Sequence, residues 1–344
     1  MKTLAAILTQ TGKPLELDEI DIPQLRSGQV LVEISHSGIC GTQLNEVDGK
    51  KGEDKWLPHC IGHEAIGSVV DVGENVTRFR KDDNVILSWL KTDGIDAGGT
   101  QYSWGESLVN AGPVTTFQHY SVISENRLTK MVSSSLGEIQ VLLGCAAPTG
   151  MGAVKNVLRP NEGESIVIFG AGGVGLCALL MARHMKLSPV IVADISEERL
   201  KLAKKFGADI AVNVAQKPLE DVMQENGLQN VDHLVEVTGN IKVFNNIMGY
   251  IRPQGGRAVI VGNAPAGQIM KISPSQFNMG KSILGTWGGD SKPERDFEIF
   301  SRILDENRLS IGKMIEKSFS LEQVNVALDS MRNKTVARPV LSMK

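Results

Sequence analysis

The stretch SIVIFGAGGVGLCALLMARHMK, residues 165–186, constrains this chain more than any other. An unbroken apolar run of strand length leads into Gly170-Ala171-Gly172-Gly173-Val174-Gly175, and an apolar run of helical length follows. In a strand–turn–helix of this kind the first glycine makes the tight turn. The second lets a pyrophosphate approach the backbone, and the third lets helix and strand pack closely. The helix N-terminus then offers free N–H groups and the positive end of its dipole to phosphate.

The next run, VIVAD, ends on Asp194, about 20 residues beyond the last glycine, where a carboxylate binds both ribose hydroxyls of an adenosine. The same charge repels a 2′-phosphate, so the expected cofactor is NAD rather than NADP. SEERLKLAKKFGA then reads as an amphipathic helix, and VDHLVEVTG, RAVIVGNA and SILGTWGG as further strands with helices between them. Apolar strands alternating with helices predict an α/β fold with a doubly wound parallel sheet from about residue 147. The part before it is β-rich: QVLVEISHSG and AIGSVVDVG are strand-like runs bounded by glycine. The last ~55 residues read as isolated helices and a terminal strand, ARPVLSM. A chain of 344 residues is long for one core, and two domains are expected. The glycine-rich segment 88–113 reads as the one long loop.

Composition narrows the function classes. A net charge of −3 gives no electrostatic case for nucleic acid or an anionic membrane as partner. No stretch offers ~18 uninterrupted apolar residues, and the N-terminal apolar run is too short for a signal-peptide core, so a cytoplasmic address is expected. Cys40, Cys60, Cys145 and Cys177 are too few for a disulfide scaffold and read as buried thiols or metal ligands. Cys177, inside the first dinucleotide-domain helix, and Cys60 read as packing. Cys40 in SGICGTQ, His63 in GHEAIG and Cys145 in GCAAPTG are a donor set zinc prefers. Three protein ligands leave the fourth position open, as in a catalytic site. On residue type alone, Cys40 is equally a buried thiol.

The run G-H-E-x-x-G-x5-G-x-x-V, from Gly62 to Val76, resembles the zinc signature of the zinc-containing alcohol dehydrogenases of the medium-chain dehydrogenase/reductase superfamily. The 25-residue step from Cys145 to Gly170 resembles the family's distance from its last zinc ligand to the coenzyme loop. The resemblance covers essentially the whole chain. It implies a GroES-like β-rich catalytic domain built from residues 1–146 and 290–344, with a Rossmann NAD-binding domain, 147–289, inserted. It implies that Cys40, His63 and Cys145 bind one catalytic zinc, that Glu64 lies beside the metal, and that Thr42 hydrogen-bonds the substrate oxygen. Arg199 would help hold the adenosine ribose and Arg338 would meet the pyrophosphate. Thr238, Val261 and the backbone around Thr286 and Trp287 would complete the coenzyme contacts, and Leu57 and Trp89 would line the substrate pocket. A homodimer or homotetramer through the edge strand SILGTW is implied as well.

Three departures from the family pattern stand out. Segment 88–113 holds no cysteine, so the second, structural zinc of many members is not expected. Gln43 replaces the aspartate that steadies the zinc-bound histidine, and Asn45 replaces the histidine that ends the proton relay. The expected reaction is hydride transfer between an alcohol and NAD, giving an aldehyde or ketone, with zinc lowering the pKa of the bound alcohol. The polar character of segment 88–113 suggests a polyol or sugar derivative as substrate. Two other readings use the same fold: a metal-free quinone or enoyl reductase, disfavoured by the Cys/His/Cys set, and an inactive dinucleotide-binding protein, disfavoured by intact ligands and phosphate loop.

Overall fold

The computed structural model describes residues 1–131, 136–315 and 317–343. Its contacts divide the chain into two units, one made of Met1–Cys145 and Lys292–Lys344, the other of Ala146–Ser291.

The first unit begins with β1 (Lys2–Leu8), β2 (Glu16–Asp21), β3 (Gln29–Gly38), α1 (Gly41–Val47), β4 (His59–Cys60), β5 (Glu64–Val72), β6 (Asn84–Ser88), β7 (Thr100–Trp104), β8 (Ser107–Ala111), β9 (Tyr120–Ser124) and β10 (Leu128–Lys130). Strands β1-β2-β7-β8-β4 close into a small barrel. Beside it β10, β6, β5 and β3 form a second sheet, with β9 also paired to β3. β3 serves both cores because its side chains alternate. Val30, Val32 and Ile34 enter a cluster with Phe79, Leu87 and Ile123, while Leu31 enters one with Ile20, Tyr102 and Val109. Cys60 lies in the second cluster, where burial pushes its thiol up to about 12, as an inert core thiol requires.

Segment 88–113 is not one long loop. Its second half is the β7–β8 hairpin, a wall of the barrel, turning at Gly105-Glu106. Tyr102 and Val109 point inward and are fully buried. The polar residues that suggested a loop are the outward positions of two strands. The first half, residues 91–98, is tied down at Ile95 by the Glu125 carboxylate (2.8 Å), which also accepts the Thr77 and Arg78 N–H groups at 3.1 Å each, at Asp93 by Glu294 (2.9 Å) and at Ala97 by Ser124 (2.9 Å).

The second unit contains α2 (Ala146–Gly152), β11 (Ile166–Phe169), α3 (Gly173–His184), β12 (Val190–Asp194), α4 (Glu197–Lys205), β13 (Ile210–Asn213), α5 (Leu219–Glu225), β14 (His233–Glu236), α6 (Ile241–Tyr250), β15 (Arg257–Ile260), α7 (Ser275–Asn278) and β16 (Ser282–Gly285). Its strands run in the order β13-β12-β11-β14-β15-β16, all parallel, which is the Rossmann order. Ile166, Val167 and Ile168 are wholly buried because helices cover both faces of such a sheet, and Cys177 is core as its helical setting predicts.

The chain then returns to the first unit through α8 (Pro293–Glu306), α9 (Arg308–Met314), β17 (Ser318–Ser320), α10 (Val324–Arg332) and β18 (Val340–Ser342). β18 pairs antiparallel with β3. One apolar cluster joins Ala6, Leu8 and Ile39 to Phe319, Leu328 and Leu341, so both ends of the sequence build the same core. Among the described residues no single helix is long and apolar enough to cross a membrane.

Candidate active site

Each metal-donor candidate is placed by a local device. Cys40 sits in extended backbone at the start of α1, where its N–H donates to Gln43 Oε1 at 2.9 Å. His63 follows Gly62, whose φ of +97° and tight surroundings admit no side chain: a Cβ there would lie 2.4 Å from Thr116 Oγ1. Cys145 closes a short helical run, Gly137–Gly144. These three residues, far apart in sequence, converge. Cys145 Sγ is 3.9 Å from Cys40 Sγ and 3.3 Å from His63 Nε2. A tetrahedral zinc ion has S···S and S···N edges of about 3.8 and about 3.6 Å. The donor set therefore fits zinc in kind and in spacing. Cys40 and Cys145 are buried and His63 is half-buried, so one side of the site is reachable.

Electrostatics favour thiolate here. The Cys40 thiol is held well below its usual range, first by hydrogen bonding with Cys145 and then by the charges of Arg338 and His63. Cys145 is pushed up in response. A cation between them relieves that competition by letting both ionise. Glu64, fully buried, pairs with the buried Arg338. Burial raises the Glu64 carboxyl and works against the Arg338 charge, but Glu64, Cys40 and Cys145 outweigh it and keep the guanidinium charged. One further residue completes the shell. Gln43 Nε2 donates to His63 Nδ1 at 2.6 Å while Gln43 Oε1 accepts the Cys40 N–H at 2.9 Å, so one side chain touches two of the three donors. Thr42 Oγ1 lies 3.7 Å from Cys40 Sγ. The Trp89 ring is 6.3 Å from the His63 ring, whereas Leu57 packs on the cluster that holds Leu8 and Ile39.

The glycine loop lies in the second unit. Gly172 precedes α3, and Gly175 packs against the turn so tightly that a Cβ on it would sit 1.8 Å from the Gly170 carbonyl oxygen. Asp194 ends β12, where it accepts the N–H groups of Ala171, Ile195 and Ser196 at 2.6, 2.7 and 2.9 Å. It thereby braces the glycine loop. Arg199 lies beside Gly172, its guanidinium depressed by burial and supported by Asp194. Glu236, buried at the end of β14, has no recognised motif. Its carboxylate takes the Thr238 hydroxyl and the Thr238 N–H (2.8 Å), and its carbonyl takes the Val261 N–H (2.8 Å), so it fixes both residues at the strand ends where ligands bind. The signal that could have found it is an acidic residue ending an otherwise apolar strand. Thr286 bonds Asp290 at 2.8 Å, and Trp287 is exposed.

Comparison with known proteins agrees with this arrangement. Residues 26–133 match the alcohol dehydrogenase GroES-like domain and residues 173–306 the zinc-binding dehydrogenase domain. S-(hydroxymethyl)glutathione dehydrogenases from Photobacterium damsela subsp. piscicida and a Synechocystis strain are each 31% identical over 368 residues, covering 99% of this chain and all of theirs. The crystal structure of benzyl alcohol dehydrogenase from Acinetobacter calcoaceticus superposes with a TM-score of 0.88 at 27% identity, covering all of both chains. A zinc-binding alcohol dehydrogenase domain protein from Burkholderia ambifaria gives 0.89 at 27% identity, over 100% of this chain and 99% of that one. The chain belongs to the zinc-containing alcohol dehydrogenases. As such it is a zinc-dependent alcohol oxidoreductase with a GroES-like unit and a Rossmann unit, and its cofactors are zinc and NAD. The metal-free reductase reading is not favoured.

Proposed function

We propose that this alcohol dehydrogenase acts on a hydroxylated substrate, a polyol or sugar derivative, and prefers NAD to NADP. The observation carrying the substrate class is the position of Asn45, three residues after Thr42 and hence on the same face of α1. An amide there offers a donor and an acceptor to a second hydroxyl beside the reacting one, which a simple aliphatic alcohol lacks. The polar residues of segment 88–113 no longer support this reading, because that segment is hairpin wall and tethered loop. The preference for NAD is supported by Asp194 at the end of β12.

Cys40, His63 and Cys145 hold the metal, Glu64 and Arg338 balance one another beside it, and Thr42 holds the substrate's hydroxyl proton. Bound zinc supplies Lewis acidity at the substrate oxygen, and NAD supplies the hydride acceptor. The Gly170–Gly175 turn and the first turn of α3 hold the pyrophosphate, and Asp194 with Arg199 holds the adenosine ribose. Thr238, Val261 and the Thr286–Trp287 backbone position the nicotinamide end, and Trp89 and Leu57 bound the substrate. The deciding experiment is a kinetic screen of alcohols, polyols and sugar alcohols with NAD. Asn45→Leu is expected to raise KM for polyols about tenfold and to spare monohydric alcohols. Equal losses on both classes would overturn the substrate reading.

We propose a cytoplasmic enzyme that forms an isologous dimer; the dimer is supported by β16, which among the described residues has β15 on one side only and so offers an edge for pairing. The exposed Phe277 and Met279 nearby are suited to such a contact. Light scattering should give at least twice the 37.2 kDa chain mass.

A further inference from the structure

A second group of metal-donor side chains lies in the first unit, away from the cysteines. Glu46 on α1, Asp54 in the connection after it and His59 at the start of β4 bring one donor atom each to within 4.8 Å of one another. His59 is buried, with 9% of its surface exposed.

The hydrogen bonds of His59 leave a proton-counting problem. Nδ1 lies 2.8 Å from the Cys60 carbonyl oxygen, which only accepts, so Nδ1 carries a proton. Nε2 lies 2.9 Å from Asp54 Oδ2. Asp54 is held ionised: burial opposes its charge, but the Trp56 N–H, at 2.9 Å from Oδ1, and His59 outweigh it. A neutral imidazole would therefore turn a lone pair toward a carboxylate oxygen. A cation at that point is required, either a second ring proton or a metal ion. A plain imidazolium–aspartate pair explains His59 and Asp54 but not Glu46, which brings another carboxylate to the same point from a different element. The Lys51 ammonium, 3.3 Å from Glu46 Oε1, offsets part of that repulsion from a half-exposed side chain that is free to swing out. A cavity of about 250 Å³ opens onto Glu46 and Asp54, with Lys51 and Lys55 also in its wall, and gives an ion access from the carboxylate side; His59 lies behind them and does not line it.

We propose that Glu46, Asp54 and His59 form a second metal site, which takes a divalent ion of the Mn²⁺ class. Two carboxylate oxygens and one imidazole nitrogen suit an octahedral ion finished by water. The cysteine-rich site selects zinc instead. The Nδ1 bond to the Cys60 carbonyl fixes the ring in the tautomer that leaves Nε2 for the metal. Adjacent octahedral ligands stand about 3.0 Å apart at a bond length of about 2.1 Å, and Nε2 and Oδ2 are already at 2.9 Å. Bound there, the ion would lock the connection from Asp48 to Pro58, which carries Trp56 and Leu57.

The test is a MnCl₂ titration of the zinc-loaded enzyme, with free Mn²⁺ read from its electron paramagnetic resonance signal. One Mn²⁺ per chain beyond zinc is expected. Glu46→Gln and His59→Gln should each weaken it at least about tenfold, the loss that even outer-shell partners carry. Glu53→Gln, a neighbouring carboxylate of the same cavity outside the triad, should leave it unchanged. No binding at millimolar Mn²⁺, binding that survives both triad changes, or an equal loss in Glu53→Gln would each overturn the proposal. If His59→Gln does not fold, Glu46→Gln decides alone, since among the described residues the Glu46 carboxylate's bond outside the triad is to the surface Lys51 and its backbone bond to Gly49 is untouched by the change.

Discussion

Gln43 carries more of the metal site than its residue type announces. Its amide serves the Cys40 N–H and the His63 ring together, so Gln43→Leu unties two of the three zinc donors. We expect zinc loss to a chelator to be about 10–100-fold easier in that variant, measured as zinc retained after timed exposure. Asp194 has a comparable double duty. Asp194→Ser should reduce the ratio of kcat/KM for NAD to that for NADP, and the loss of three backbone N–H partners should loosen coenzyme binding of both kinds. A wild-type enzyme faster with NADP at equal concentration would contradict the reading of Asp194. Cys40, His63 and Cys145 were legible because thiolate and imidazole are unusual residues in a recognisable signature. That Gln43 meets the histidine was legible from its place in the family pattern, but not that it does so through its amide nitrogen while its oxygen takes the Cys40 N–H, because both follow from the turn that opens α1. The triad containing His59 was hidden as well: its three members match no spacing rule.

At the scale of elements, regular strands and the glycine turn were readable, since VIVAD and QVLVEISHSG are observed strands to the residue. Segment 88–113 was misread because each strand of its hairpin buries so few side chains that the alternation is swamped by Gly, Ser, Asp and Asn. In a family where many members use a structural zinc in this segment, the neighbouring residues 91–98 are secured by side-chain acceptors, Glu125 at Ile95, Glu294 at Asp93 and Ser124 at Ala97. Glu125 is buried, so Glu125→Ala strands three donors and should destabilise the enzyme by about 2–4 kcal/mol. The measurement is a lowered Tm for the zinc-loaded protein. Glu125→Gln, which keeps an acceptor oxygen, should recover part of the loss.

For the whole molecule, the donor sets predict unequal metals. Purified protein should hold one zinc per chain after exhaustive dialysis, bound by Cys40, His63 and Cys145, while any ion at the carboxylate-rich triad exchanges away. Two dialysis-resistant zinc ions per chain would contradict this. The change of pattern near residue 147 was visible in the sequence, but the closure of β18 onto β3 was not. A three-residue strand has too little periodicity to declare its partner.

That closure orders events on the ribosome. The second unit is continuous in sequence and can collapse as soon as it has emerged. The first cannot: β3 and Glu64 are translated before the second unit, and their partners β18 and Arg338 only after it. At ~5–20 residues per second, roughly 10–40 s pass between Cys145 and Arg338. Throughout that interval the nascent chain carries its thiols, its histidine and a carboxylate still lacking its guanidinium, with one sheet edge open. Capture of zinc by the newborn enzyme is therefore a race between metal delivery and the arrival of β18 and Arg338.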